Sequence, residues 1–374
     1  MPQSKKPTFI EHFSNIDDPR TRHSNHNLGD IFFIALCAVI SGCDSWVAIE
    51  AYGKMKQSWL EEYLSLENGI PSHDTFGRVF SLIEPAQFQK CFSSWIQTVI
   101  KHVLGDVISI DGKCLRGSYD KADNKAAIHM VSAWSSAHQL VLGQVKVDEK
   151  SNEITALPSL LQNLTVKGAI ITADAMHTQK KTAKLVVEKG ADYLLALKGN
   201  QSTLHDDVVL FFEKIPSKDS HSLGYHKTTG AGHGRIEERE IWVCNQIDWL
   251  KERHNFPHLS SIIKVTSNRH KNEKETKESR YFISSICHND ASLFGRYVRD
   301  HWGVENGLHW RLDMAFDEDH CRIRKGHADE NMAMLRHMSL NLLKEEKTKK
   351  VGMKIKRQMA GWDSNYLLKV MQEI

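Results

Sequence analysis

Two short apolar runs that each end in an aspartate constrain this chain more than any other feature. The first reads V-I-S-I-D-G-K from Val107, and the second reads A-I-I-T-A-D from Ala169. Runs of this length, rich in β-branched residues and closed by an acid, read as buried strands, with Gly112 expected to stop the first just after Asp111. A carboxylate at the carboxyl end of a central strand stands where α/β sheets place their chemistry. Loops often begin with Asp, so either acid alone reads more simply as a turn residue. A third acid, Glu305, lies in a segment where Phe294, Val298, His301, Trp302, Leu308, His309 and Leu312 recur at three-and-four spacing. That spacing puts Glu305 in the core-facing stripe, a costly place for a carboxylate without a partner or an ion. Arg299 is the nearest candidate partner.

The segments around these acids suggest the fold. Residues 1–100 read as a helical N-terminal domain. Asp30 can cap a helix through the apolar run 31–40, and Ser72 can cap one that carries Phe76, Val79 and Phe80 inward and Arg78 outward. A short helix with a basic face after a Gly-containing turn reads either as a helix-turn-helix with Arg78 on DNA or as an ordinary packing unit. From residue 101 the pattern changes to strands at 107–111, 128–134 and 140–147, then helix 154–164, strand 169–174, helix 178–189 and strand 193–198. Three antiparallel strands followed by helix, strand, helix, strand is the ribonuclease H-like order, a mixed sheet with helices on its faces. It makes the strands ending in Asp111 and Asp174 neighbours. Residues 205–285 read as a β-rich insertion before the helix of Glu305, with strands at 239–244, 261–266 and 280–286 and a solvated hairpin tip after Arg269. Residues 101–345 thus form one α/β unit, and 346–374 a basic helical tail in which Lys354, Lys356 and Arg357 are expected at phosphates.

Composition bounds the class of protein. The 374 residues carry 49 basic and 46 acidic side chains, a net charge of +3, too weak by itself to argue nucleic-acid binding. Seven scattered Cys suggest reduced thiols in a cytoplasm, not a disulfide frame. No apolar run reaches the roughly 20 residues of a membrane span.

Carboxylates from separate elements that converge at a strand edge bind Mg²⁺ or Mn²⁺ through oxygen. Two such ions clamp the attacking and leaving oxygens of an in-line phosphoryl transfer. Asp111 would then bridge both ions, with Asp174 and Glu305 holding one each. Asp313 and Asp317 are rival third ligands. Lys113 and Arg116, just past the first acid, are placed to meet a phosphate backbone. So are Lys198 and Asn200 at the end of the fifth strand, His233 and Arg235 in G-H-G-R, and Arg299. Asn152, Glu153 and Gln201 are lesser candidates that read equally well as caps or turns, and the bulky His177 can face metal or strand.

The longer motifs are more specific. D-G-K-C-L-R-G-S from Asp111, E-K-S-N-E-I from Glu149, T-A-D-A-M from Thr172, Y-L-L-A-L-K-G-N-Q from Tyr193, H-G-R-I-E from His233 and H-W-G-V-E-N-G-L-H-W-R-L-D from His301 occur in one order along the chain. Together they resemble the insertion-sequence transposases of the DDE superfamily, in particular the H-repeat-associated group found beside Rhs elements. The resemblance implies Asp111, Asp174 and Glu305 as the DDE triad, Mg²⁺ with Mn²⁺ as substitute, element-end and target DNA as partners, and a homodimer when assembled on DNA. Related transposases place Tyr, Arg and Lys around the glutamate where this chain has Val298, His301 and Leu312, although Tyr297, Arg299 and Arg311 lie close by. A nuclease without strand transfer and a non-catalytic DNA-binding relic of a mobile element are the alternatives.

Overall fold

The computed structural model describes residues 8–21, 24–100, 103–119, 126–147, 153–214, 223–232, 235–271 and 274–372. Five helices come first: α1 (Leu28–Ile40), α2 (Trp46–Met55), α3 (Gln57–Leu60), α4 (His73–Leu82) and α5 (Pro85–Val99). Helix α1 is capped by Asn27, whose side chain accepts the Gly29 N–H, rather than by the expected Asp30. Its run from Ile31 to Ile40 is apolar on every side and is buried throughout, as an all-round hydrophobic helix must be. Ser72 caps α4 by accepting the Thr75 N–H. Residues 61–72 separate α3 from α4, a connection far longer than the 3–4-residue turn of a helix-turn-helix.

The strands are β1 (Val107–Cys114), β2 (His129–Ser135), β3 (Leu140–Lys146), β4 (Ile170–Ala173) and β5 (Asp192–Leu197), with α6 (Glu153–Gln162) and α7 (Lys180–Glu188) between the later ones. β1 is antiparallel to β2 and parallel to β4, and β4 is parallel to β5, which is the ribonuclease H-like arrangement. The insertion adds α8 (Ser202–Lys214), β6 (Gly224–Gly232), β7 (Arg235–Cys244), α9 (Asp248–His254), β8 (Ser261–Lys271) and β9 (Lys274–Ser284). It is not a separate layer. β9 pairs antiparallel with β5, so one nine-stranded sheet runs β3-β2-β1-β4-β5-β9-β8-β7-β6. Sequence reading missed β6, whose Gly- and Thr-rich stretch (G-Y-H-K-T-T-G-A-G) lacks apolar alternation and is mostly exposed.

The chain closes with α10 (Ala291–His301), α11 (Trp310–Phe316), α12 (Ala328–Glu345), α13 (Met353–Trp362) and α14 (Ser364–Gln372). One apolar core takes in residues from Phe13 to Met371 and joins the N-terminal helices, one face of the sheet and the C-terminal helices. Asn341 of α12 both accepts the Val141 N–H and donates to its carbonyl, each at 2.9 Å. It thereby gives β3 part of the pairing that an edge strand lacks.

The tail is helical as expected, but two of the three cations expected at phosphates are not at a surface. Lys356 and Arg357 are buried. Lys356 donates to the Leu343 carbonyl and pairs with Glu346, while Arg357 pairs with Asp44 at 2.8 Å and stacks on Phe316 at 4.1 Å. They hold the ends of the fold together and cannot reach phosphate; Lys354 alone of the three is exposed. Among the described residues no helix is long and apolar enough to cross a membrane.

Candidate active site

β1 carries Asp111 and β4 delivers Asp174. The register pairs Ile110 with Ala173, so the acids are the next residues on two adjoining parallel strands. β4 stops at its acid. β1 does not: Gly112, Lys113 and Cys114 continue the ladder against Val131, Met130 and His129 of β2. Gly112 is therefore no breaker. A Cβ at this position would stand 2.6 Å from the Glu153 carboxylate, so that side chain would have to shift to admit one. The Gly112 N–H donates to Asp111 Oδ1 at 2.9 Å.

The third acid sits where helical spacing did not put it. Residues Glu305–His309 form a π-helical turn between α10 and α11. The extra residue rotates the helix, so that Val304, Leu308, Leu312 and Phe316 face the core and Glu305 is exposed. Trp302 is likewise half-exposed, not part of the apolar stripe. Such turns are rare and concentrate at functional sites. Gly307 permits the close approach: a Cβ there would be 2.6 Å from the Trp134 ring of β2. Upstream, the Asp300 carbonyl accepts from Ser136 Oγ at 3.1 Å, which fixes the end of α10 on the sheet.

Glu305 is thereby brought to Asp111, and a fourth residue comes with it. Asp111, Glu305 and His309 each offer one ligand atom, and these atoms lie within 4.8 Å of one another. His309 Nε2 is 3.1 Å from Asp111 Oδ2, and its buried Nδ1 has no hydrogen-bond partner among the described residues. The spacing E-x-x-x-H was visible in the sequence but read as helical packing. Oxygen and imidazole nitrogen donors on separate elements suit a divalent ion.

Asp174 is largely exposed, with His301 Nε2 at 3.7 Å from its Oδ1. The neighbouring imidazole holds the Asp174 carboxyl below its ordinary value, against partial burial. His301 is itself anchored, its Nδ1 lying 3.0 Å from Thr172 Oγ1. His177, at 1% exposure, follows in the same loop. Burial lowers its pKa, opposed by the charges of Asp174 and Asp111.

The other sequence candidates divide. Lys113 is not free for DNA. It bonds to Asp313, lies 3.0 Å from Glu318 Oε2 and 3.8 Å from Asp319, and is 12% exposed. Burial pulls its ammonium down, but Glu318 and Asp313 outweigh this and leave its pKa raised. Asp313 is thus engaged as its partner, and Asp317 pairs with His320 at 2.6 Å. Asn200 donates to the Ala175 carbonyl at 2.5 Å and Gln201 to that of Thr178 at 3.0 Å. Both stitch the loop after Asp174 to the end of β5. Arg116 is 82% exposed beside Asp319. Arg78, Lys198 and Arg299 are exposed. Arg299 lines a cavity of about 370 Å³ between α10 and the insertion. Arg235 begins β7; His233 and Asn152 lie outside the described residues.

Comparison with known proteins identifies the family of this chain. The family described as "Transposase DDE domain" matches residues 104–342, and "DDE_Tnp_1-associated" matches residues 10–96. The chain is 43% identical over 371 residues to "H repeat-associated putative transposase YhhI" of Escherichia coli (strain K12), with 97% of each chain covered. It is 42% identical, again over 97% of each chain, to "Putative protein YbfL" of the same organism. Among solved structures, a piggyBac transposase synaptic complex with hairpin DNA aligns at a TM-score of 0.42 and 11% identity, covering 97% of this chain and 77% of that one. A sheet of ribonuclease H-like order and a family match across most of its length place this chain in the DDE-domain transposase family.

Proposed function

We propose that the chain is a transposase that cleaves the ends of its own insertion sequence and transfers them to target DNA. The observation that carries this reading is the meeting of Asp111, Glu305 and His309 beside the strand that delivers Asp174. Bound Mg²⁺ or Mn²⁺ would supply nucleophile activation and charge neutralisation for in-line phosphoryl transfer. The chain supplies position. The Gly112 amide fixes the Asp111 carboxylate. His301 orients Asp174, and the π-helical turn sets Glu305. Residues 101–345 would carry the chemistry, and residues 1–100 would present Arg78 to DNA. The tail supports the fold. We place the protein in the cytoplasm, on DNA as a homodimer.

The test is cleavage and joining of a DNA that carries the element's own ends. Joined products establish transfer, cleavage alone leaves a nuclease, and binding without cutting leaves a relic. Because His309 adds an imidazole to the carboxylates, Mn²⁺ is expected to support cleavage at lower concentration than Mg²⁺, which binds nitrogen poorly. A titration in which Mg²⁺ saturates first would remove His309 from the ligand set.

Phosphate contact is assigned to Arg116 and Arg299, both exposed. Replacing each by Ala is expected to weaken DNA binding and reduce the slope of log affinity against log salt by about 1. An unchanged slope would return that arginine to plain surface.

A further inference from the structure

We propose that the loop of residues 321–327 is a phosphate-binding surface on which duplex DNA runs from the end of β1 to helix α4. The inference rests on the reading that this chain acts on DNA, and it assigns Arg322 and Lys325, which that reading leaves unused.

The loop bridges β1 and α4, and backbone contacts hold it at both ends. At one end it lies against the turn that follows β1. A Cβ on Gly117 would collide with the carbonyl oxygens of Cys321 and Asp319, so the two backbones meet where no side chain fits. At the other end the His327 N–H donates to the Ser81 carbonyl of α4 at 3.1 Å. Gly326 turns the chain there with φ +55°, a left-handed conformation that glycine adopts freely. Within the loop, Arg324 acts as a strut. Its Nε donates to the Gly117 carbonyl at 3.3 Å, and its guanidinium lies 5.2 Å from the centre of the Tyr119 ring.

With Arg324 engaged in the fold, the cations beside it point to another use. Arg322 and Lys325 are exposed, and neither has an acidic partner among the described residues. At the β1 end, Arg116 is 82% exposed and lies 3.8 Å from Asp319, an acid it shares with Lys113. At the α4 end, Arg78 is exposed, and its carbonyl accepts from Ser81 Oγ at 2.8 Å. Glu84, 3.9 Å from His327, is the acid nearest that end. Exposed cations thus follow one another from Arg116 through Arg322 and Lys325 to Arg78, along a backbone that is already fixed. Like charges gathered in this way repel one another unless an anion lies across them. Duplex DNA, with one negative charge per roughly 1.7 Å of its axis, is a partner of that chemistry. Because the loop is ordered beforehand, binding costs it little conformational entropy. The strip also starts close to the acids, since an extended chain from Asp111 to Arg116 spans at most about 18 Å. Contacts to phosphate carry no base readout, so the grip should be the same on any sequence.

The test is duplex binding by the full chain as a function of salt, on element-end DNA and on an unrelated duplex of equal length. Arg322→Ala and Lys325→Ala should each flatten the slope of log affinity against log salt by about 1, on both duplexes alike. Arg322→Lys keeps the charge and should keep the slope. If one duplex covers the whole strip, replacing Arg78, Arg116, Arg322 and Lys325 together should flatten it by about 4. Near-ultraviolet circular dichroism checks the fold, and if one single variant does not fold, the other decides. Parental slopes in both Ala variants would overturn the proposal. A loss confined to the element-end duplex would mean base readout and would overturn it as well. A combined loss no larger than that of one single variant would refute a continuous track. A parent that binds duplex with these slopes but never cuts would overturn the proposed function and leave this surface standing.

Discussion

Asp111→Asn, Asp174→Asn and Glu305→Gln are each expected to reduce cleavage of element-end DNA by several orders of magnitude. Each keeps the size of the side chain and removes the charge that would hold a divalent ion. Without the ion, water is a poor nucleophile and the leaving oxygen is unstabilised. The losses should not add, because residues that act as a unit fail together. End binding should survive, since contacts to phosphate and base edges lie mostly elsewhere. Strand cleavage with binding measured in parallel checks this, with folding verified independently. A well-folded Glu305→Gln variant that cuts at the parental rate would remove Glu305 from the site. Asp313 would not succeed it without first giving up Lys113.

Lys113→Ala should destabilise the protein by about 3 kcal/mol. The lysine leaves β1 two residues after Asp111 and ends among Asp313, Glu318 and Asp319. Glu318 is 2% exposed, and Arg336 behind it lies 3.9 Å away. Removing one member of a buried pair strands the others in low dielectric, which is where costs of about 3–5 kcal/mol arise. The same lysine ties the strand of Asp111 to the helix that follows Glu305, so cleavage should fall in the folded fraction as well. Denaturant unfolding reads the first effect. A loss below about 1 kcal/mol would mean that Lys113 is held loosely and is free to meet DNA.

Much of this architecture was legible from the strands. Runs such as Val107–Ile110 have no other use than burial, and their order dictated that Asp111 and Asp174 be neighbours. What was not legible came from interactions that one-dimensional spacing does not contain. Lys113 and Lys356 look like free cations until folding brings buried acids to them. Asn200 looks like a ligand for DNA until its amide meets the Ala175 carbonyl. β6 is a strand only because β7 pairs with it. His309 was counted as packing because an ideal 3.6-residue period was carried through a stretch that does not keep it.

That departure from period has a consequence for reading relatives of this chain. A π-helical turn amounts to one residue more than an α-helix needs between α10 and α11. Losing one residue other than Glu305 from the stretch between Trp302 and Leu308 would let the helix close in the ordinary way. Glu305 would then swing toward the core while all three acids stayed in the sequence. A relative with an intact triad and a one-residue gap there should be counted among the defective copies. On the proposed function, the length of this segment would be as diagnostic of a competent element as the identity of its acids.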